Sequence, residues 1–234
     1  MAHAELKERV WRVNQGLVDA GLVLLTWGNA SGADRQAGVM AIKPSGVPYA
    51  TLRPEHIIVL SLEDGRVIEG DGRPSSDTPT HLCLYQAFAE VGGVVHTHSF
   101  HATSFAQAGR EIPCLGTTHA DHFCGTIPVT RALRPEEIES AYELNTGRVI
   151  VECFRERNLD PSHVPGVLVR HHAPFAWGPT PEQAQENAIV LEAVAQLALE
   201  TYALQPAVVA VTEPLLPKHF FRKHGPGAYY GPKA

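Results

Sequence analysis

The chain has 234 residues, a formal net charge of −6 and a pI near 6.1. Acidic and basic residues are interspersed, which excludes the basic footprint of a nucleic-acid binder, and no apolar run is long enough to cross a bilayer. Cys83, Cys114, Cys124 and Cys153 are widely spaced with no Cys-x-x-Cys pair, so they read as free thiols in a reducing compartment.

The first nine residues are charged from the first turn and lack the apolar stretch of a leader, which fits a soluble cytoplasmic protein. Residues 4–20 are predicted helical: Leu6, Val10, Val13, Leu17 and Val18 recur at spacings of three and four, and Gly21 stops the helix. An apolar run at 22–25 leads into Thr26-Trp27-Gly28-Asn29-Ala30-Ser31-Gly32, rich in turn formers. Residues 39–42 read as a short strand ended by Lys43-Pro44-Ser45-Gly46. Residues 59–62 and 66–68 flank Asp64-Gly65, a hairpin signal.

Next, Thr78 or Asp77 caps a helix with Pro79 at its first position, and Leu82, Tyr85 and Phe88 or Ala89 supply its buried face. Gly92-Gly93 end that helix and lead into a strand carrying His96 and His98. Residues 102–108 read as a short helix, 112–115 and 127–129 as short strands, and 134–137 as a helix start, with 149–154 in the next helix. Residues 166–169 form an apolar strand running into Arg170-His171-His172. Thr180-Pro181-Glu182-Gln183 is a capping box opening a long helix to about Ala203, its face made of Ala184, Ala188, Leu191, Val194, Ala195 and Ala198. No Pro/Ser linker, charge run or internal repeat divides the chain, and its length is enough to bury a core without a structural metal.

The chemistry centres on His96-Thr97-His98. Alternate residues of a strand share a face, with Cα atoms about 6 to 7 Å apart, so both imidazoles can converge on one cation. A catalytic site for zinc or its neighbours needs a third protein ligand and an open position. His171 or His172 offers that ligand, but a continued strand points them to opposite faces, and parity does not say which one turns inward. With 13 His in the chain, a chance His-x-His is the plain alternative. A second theme is phosphate. Ser75 and Ser76 precede a helix N-terminus, where free N–H groups and the dipole favour an anion. Gly28-Asn29 and Ser45-Gly46 add small polar turns, and Lys43 adds positive charge. A third theme is acid–base work: Asp121 lies between His119 and His122, with an Asx turn or helix cap as its plain alternative. Tyr230 belongs to an aromatic C-terminus with Phe220, Phe221 and Tyr229.

Several blocks together identify a family: Leu25-Thr26-Trp27-Gly28-Asn29, Ile42-Lys43-Pro44-Ser45-Gly46-Val47, Pro74-Ser75-Ser76-Asp77-Thr78-Pro79-Thr80-His81, Val95-His96-Thr97-His98-Ser99, Gly116-Thr117-Thr118-His119-Ala120-Asp121, residues 165–169, 174–178 and 222–231. In this order, over nearly the whole length, they resemble the class II aldolase superfamily and, within it, its pentulose-phosphate 4-epimerase branch. The resemblance implies a single α/β domain over 1–234, with a mostly antiparallel central sheet between helical layers. It implies a cytoplasmic homotetramer with sites between subunits, residues 218–234 docking on a neighbour. A divalent ion is implied on Asp77, His96, His98 and His172, zinc first, with manganese or cobalt as alternatives. Gly28, Asn29, Lys43, Ser45, Gly46, Ser75 and Ser76 would hold a small phosphorylated ketopentose. Asp121 would be one acid/base and Tyr230, from the adjacent subunit, the other.

Two departures from the family pattern are Arg170-His171-His172, in place of a His-x-His, and His122, in place of an aromatic residue. The implied reaction interconverts L-ribulose 5-phosphate and D-xylulose 5-phosphate, in arabinose catabolism or in ascorbate utilisation. The hydrogen on C4 is not acidic. The C3–C4 bond therefore opens, leaving its electrons on the C2 carbonyl as an enediolate that a cation stabilises, and closes again on the other face of the aldehyde. The fragments expected are the enediolate of dihydroxyacetone phosphate and glycolaldehyde. Related aldolases carry Glu where this chain has Asp77, which favours the epimerase. The rival readings are a class II aldolase releasing dihydroxyacetone phosphate and an aldehyde, a non-catalytic scaffold of the same fold, and, on His-x-His alone, a metal-dependent hydrolase.

Overall fold

Asn14 reaches from the first helix to both backbone groups of Ala30, donating to its carbonyl at 3.1 Å and accepting from its N–H at 3.0 Å. That pins helix to sheet at the sheet's centre. The computed structural model describes residues 3–225 and 227–230. Strands β1 (Gly28–Asp34), β2 (Val39–Ile42), β3 (Ile58–Ser61), β4 (Val67–Glu69), β5 (Gly93–Thr97), β6 (Gly166–Leu168) and β7 (Pro174–Gly178) form one sheet ordered β4-β3-β2-β1-β5-β7-β6. Every neighbouring pair is antiparallel. The helices are α1 (Ala4–Asp19), α2 (Thr78–Ala87), α3 (Phe100–Ala108), α4 (Thr117–Ala120), α5 (Pro135–Glu156), α6 (Pro181–Leu204) and α7 (Leu215–Lys223).

The sheet lies between two helical layers, and adjacent residues of β1 show how. Ser31 turns to α2, where its hydroxyl meets His81 Nδ1 at 2.7 Å and the Tyr85 hydroxyl at 2.8 Å. Gly32 turns to the opposite face, where a Cβ would lie 2.5 Å from Pro181 Cγ and 3.0 Å from Val10 Cγ2. The predicted turn-former segment is thus the middle of the sheet. Its small residues serve close helix approach rather than chain reversal. Gly93 repeats this on β5, where a Cβ would meet the Pro181 backbone at 2.4 Å. One contiguous apolar core runs through both layers.

α1 and α6 match expectation closely. All six predicted face residues of α6 are buried, and the Thr180 hydroxyl accepts from the Gln183 N–H. On α1, Val18 is exposed, and Lys7 and Asn14 take inward positions. Lys7 is tolerated there because its ammonium reaches Glu69 at 3.1 Å and the Glu55 carbonyl at 3.2 Å. The 64–65 hairpin forms as expected, with Gly65 at φ 72°. α2 stops at Ala87, short of Gly92. His81 and Leu84 join Tyr85 in its buried face, while Leu82 is half-buried and Ala89 exposed. The two helices expected across 134–154 are one helix, α5, interrupted at Ala141. Of the strands expected at 112–115 and 127–129, only isolated bridges Ile112–Ile127 and Val129–Leu168 form. The sequence pattern points to neither β7 nor α7 as an element. α7 packs on α4 of its own chain, with Phe220 buried; the expected docking of 218–234 on a neighbour rests in part on Pro226 and residues 231–234, outside the described residues.

Candidate metal centre

Sheet register sets the centre. Asn29 on β1 pairs with His96 on β5, and His96 pairs with Phe175 on β7, so the three lie side by side across the sheet. Phe175 stacks on the His96 ring, centroids 4.2 Å apart. His96 Nδ1 meets the Pro174 carbonyl at 3.0 Å; a carbonyl only accepts, so Nδ1 carries a hydrogen and Nε2 is the ring atom left to face a cation. His98, one residue beyond β5, brings its Nε2 within 3.1 Å of His96 Nε2.

The third imidazole is His172. β6 ends at Leu168, and residues 169–173 form a tight turn closed by Val169 N–H to Ala173 O and His172 N–H to Val169 O, each at 3.0 Å. His171 takes the strained left-handed position of that turn, φ 62°, and is exposed, while His172 faces inward. Strand parity could not choose between them because the strand does not continue. The ligand atoms of His96, His98 and His172 lie within 4.8 Å of one another.

Burial, reinforced by neighbouring His96, pushes the His98 pKa down to about 4; burial with His96 and His98 pushes His172 down to about 3. Both are neutral at pH 7, with lone pairs available, and such a donor set suits a first-row divalent cation. Asp77 sits beside them. Burial opposes its ionisation, but His96, His81 and the Asn29 amide outweigh this and hold it below the usual carboxylate range. Its carboxylate makes no helix cap; Oδ2 accepts from Asn29 Nδ2 at 2.7 Å, and it stands outside the 4.8 Å group of imidazoles.

The candidate phosphate residues gather next to Asp77. Two loops pair through a Pro44–Pro74 bridge, with Ser45 N–H on Arg73 O at 2.8 Å and Ser75 N–H on Lys43 O at 3.1 Å. Those two N–H groups are therefore committed to carbonyls, which corrects the expectation that these turns offer them to an anion. Gly28-Asn29 is strand, not turn. Lys43 is buried, its ammonium 3.3 Å from the Pro44 carbonyl and 4.8 Å from the Tyr49 ring centroid, and burial lowers its pKa. The Tyr49 hydroxyl donates to Gly28 O at 2.9 Å, and the Asp77 N–H to Ser75 Oγ at 3.3 Å.

Asp121 belongs to a second cluster, at the end of α4. Its carboxylate accepts from His219 Nδ1 at 2.9 Å and from Arg222 at 3.1 and 2.8 Å, with Lys223 Nζ 3.7 Å away. Burial works against its charge, but Arg222 and His219 outweigh it and keep the pKa below the ordinary value. Arg222 also stacks on Tyr230, Cζ to ring centroid 4.4 Å. Asp121 and Tyr230 are thus joined through Arg222 within one chain, and none of the Asp121 hydrogen bonds or ion pairs reaches the triad. His219 and Arg222 were missed as site residues; their spacing of three, one helix face, was the available signal.

The sequence of the chain is matched over residues 8–199 by the family model described as class II aldolase and adducin N-terminal domain. The chain belongs to this family. Among relatives of this class II aldolase family protein, the L-ribulose-5-phosphate 4-epimerase UlaF of Salmonella paratyphi C (strain RKS4594) is 53% identical over 98% of this chain and 99% of that protein. The protein of the same name from Salmonella typhi is 52% identical with the same coverage. An L-fuculose 1-phosphate aldolase superposes with TM-score 0.78 at 22% identity, over 93% of this chain and 95% of that one. The L-fuculose-1-phosphate aldolase of Thermus thermophilus gives 0.67 at 26%, over 88% and 99%. Among the described residues, no helix is long and apolar enough to cross a membrane.

Proposed function

We propose that this class II aldolase family protein is a metal-dependent 4-epimerase interconverting L-ribulose 5-phosphate and D-xylulose 5-phosphate by opening and re-forming the C3–C4 bond. The observation that carries it is the convergence of three imidazoles, His96, His98 and His172, in a chain 53% identical over nearly its whole length to proteins bearing that epimerase name. His96, His98 and His172, with Asp77 beside them, would hold zinc, or manganese or cobalt in its place. Such a cation supplies Lewis acidity for the charge that develops on the sugar oxygens.

Lys43, with the hydroxyls of Ser45, Ser75 and Ser76 and the open backbone at Gly46, φ 73°, would grip the substrate phosphate, while Gly28 and Asn29 would border the sugar. Asp121, kept ionised by Arg222 and His219, suits the base that removes the C4 hydroxyl proton as the bond opens. Tyr230 would return a proton when the aldehyde, turned over, is attacked on its other face. The phosphate is on C5, so cleavage between C3 and C4 leaves it on the aldehyde. The fragments are dihydroxyacetone enediolate and glycolaldehyde phosphate, which corrects the pair expected from the sequence.

The proposed assembly is a cytoplasmic homotetramer in which a neighbour brings Asp121 and Tyr230 to each triad as a unit. Two observations support it: the Asp121 cluster does not touch its own triad, and exposed Leu25, Trp27 and Phe100 flank the ends of β1 and β5, where the triad lies. The deciding experiment strips the metal from purified protein, restores zinc or manganese, and offers L-ribulose 5-phosphate. D-Xylulose 5-phosphate is expected from the restored enzyme alone, and its absence rejects the proposal. Net release of glycolaldehyde phosphate would identify an aldolase instead, and failure to retain any metal would return the scaffold reading.

A further inference from the structure

Two of the three imidazoles have their outer nitrogen engaged. His96 Nδ1 faces the Pro174 carbonyl at 3.0 Å, and His172 Nδ1 faces the hydroxyl of Tyr142 at 3.4 Å, ring centroids 6.0 Å apart. Where an imidazole binds a metal, the partner of its other nitrogen fixes the tautomer and aims the ring.

Tyr142 reaches His172 because α5 is broken. Ala141 leaves helical geometry, φ −141° and ψ 68°, in the middle of Pro135–Glu156. A helix break frees backbone groups that must find other partners. Here Asn145 Nδ2 donates to the Glu137 carbonyl at 2.9 Å, the group that the Ala141 N–H would take in an unbroken helix, and to Ser140 Oγ at 3.3 Å. On the other side of the break, the Thr80 hydroxyl of α2 donates to the Glu143 carbonyl at 2.5 Å. Asn145 and Thr80 are both buried. The irregularity is therefore a built feature with its own polar support, and its consequence is to turn Tyr142 toward the triad while leaving the ring half-buried along its edge.

We infer that Tyr142 is a positioning residue for His172: its hydroxyl accepts the Nδ1 hydrogen and leaves the Nε2 lone pair aimed between His96 and His98. This rests on the triad being a metal centre. The opposite arrangement, with the phenol donating to Nδ1, would put an N–H among the imidazoles and exclude a cation from His172 Nε2. Tyr142 thereby does from a broken helix what the Pro174 carbonyl does from a strand.

The test uses the full-length protein. In zinc-loaded wild type labelled with nitrogen-15 at histidine, His172 is expected to be protonated at Nδ1 and metal-bound at Nε2; coordination through Nδ1 overturns the inference. Tyr142→Phe is expected to weaken zinc binding, read by competition with a chelator, by about tenfold or more. Its metal-free urea unfolding should stay at the wild-type midpoint, a combination that a merely structural role does not give. Unchanged zinc affinity in Tyr142→Phe overturns the inference while leaving the metal centre intact. A wild type that takes up no zinc removes the metal centre itself, and this inference with it.

Discussion

At the end of β5, burial drives His98 and His172 to their neutral forms, whereas at the end of α4 a carboxylate is kept charged by a guanidinium and an imidazole from α7. Both clusters are dense in titratable groups, but desolvation governs one and charge pairing the other. The triad hangs on neighbouring sheet strands and a tight hairpin turn, so its geometry is as firm as the core. The Asp121 cluster hangs on a nine-residue helix anchored by Phe220. Its ion pairs are partly open to water and to salt screening. The first arrangement makes lone pairs; the second makes a stable anion. A reaction needing an electron sink and a base can take one from each.

The sharpest way to break that division of labour is to cripple each cluster alone. His98→Asn is expected to lose stoichiometric zinc and with it essentially all epimerisation. Asp121→Asn should keep its zinc and lose about 10²-fold to 10⁴-fold in turnover, the usual weight of an acid–base group. Metal analysis beside turnover separates the two, and zinc loss in Asp121→Asn would merge the clusters into one. If a neighbour brings Asp121 to each triad, mixing the two inactive variants under conditions that exchange subunits restores part of the activity. No recovery would confine each site to one chain.

A subtler change sharpens the comparison within the charged cluster. Arg222→Met removes two charge-assisted hydrogen bonds from Asp121, so the carboxyl pKa should rise. A base must be ionised to work, so activity is lost as pH falls through that pKa, and raising it moves the acid limb of kcat/KM to higher pH. Near neutrality Asp121 stays ionised in both proteins, so the change is expected at acid pH, where loss of the two charged hydrogen bonds shifts the limb upward. An unmoved acid limb would show that Asp121 is not the titrating base.

The smallest expected effect concerns the buried side of the comparison. His81, enclosed by Ser31, Tyr85 and Phe175, has its pKa pushed down to about 3 by burial, with Asp77 opposing and His96 assisting. The unfolded chain takes up a proton below about pH 6.5, but the folded chain does so only near 3, so stability present above 6.5 is lost as pH falls through that window. At pH 5 this one group should cost about 2 kcal/mol. Urea midpoints of metal-free protein at pH 7.5 and 5 should show the drop, and His81→Gln should lessen it; equal slopes in both proteins would assign the acid sensitivity elsewhere.

Local signals determined much of this protein. The spacing of Leu6, Val10, Val13 and Leu17, the Thr180 cap with its six-residue face, the Asp64-Gly65 turn and the alternation of His96 with His98 each depend on a few neighbouring residues, so the linear chain carries them in full. What only tertiary structure decided depends on partners distant in sequence. Gly28 to Gly32 look like turn residues until α6 presses Pro181 against Gly32 and β5 presses its backbone against Gly28, which makes smallness a requirement at both positions. The choice of His172 over His171 waits on a hairpin closing against β7. The joining of Asp121 to Arg222 and Tyr230 spans about half the chain, a distance at which sequence spacing carries no geometric information and packing alone sets who meets whom.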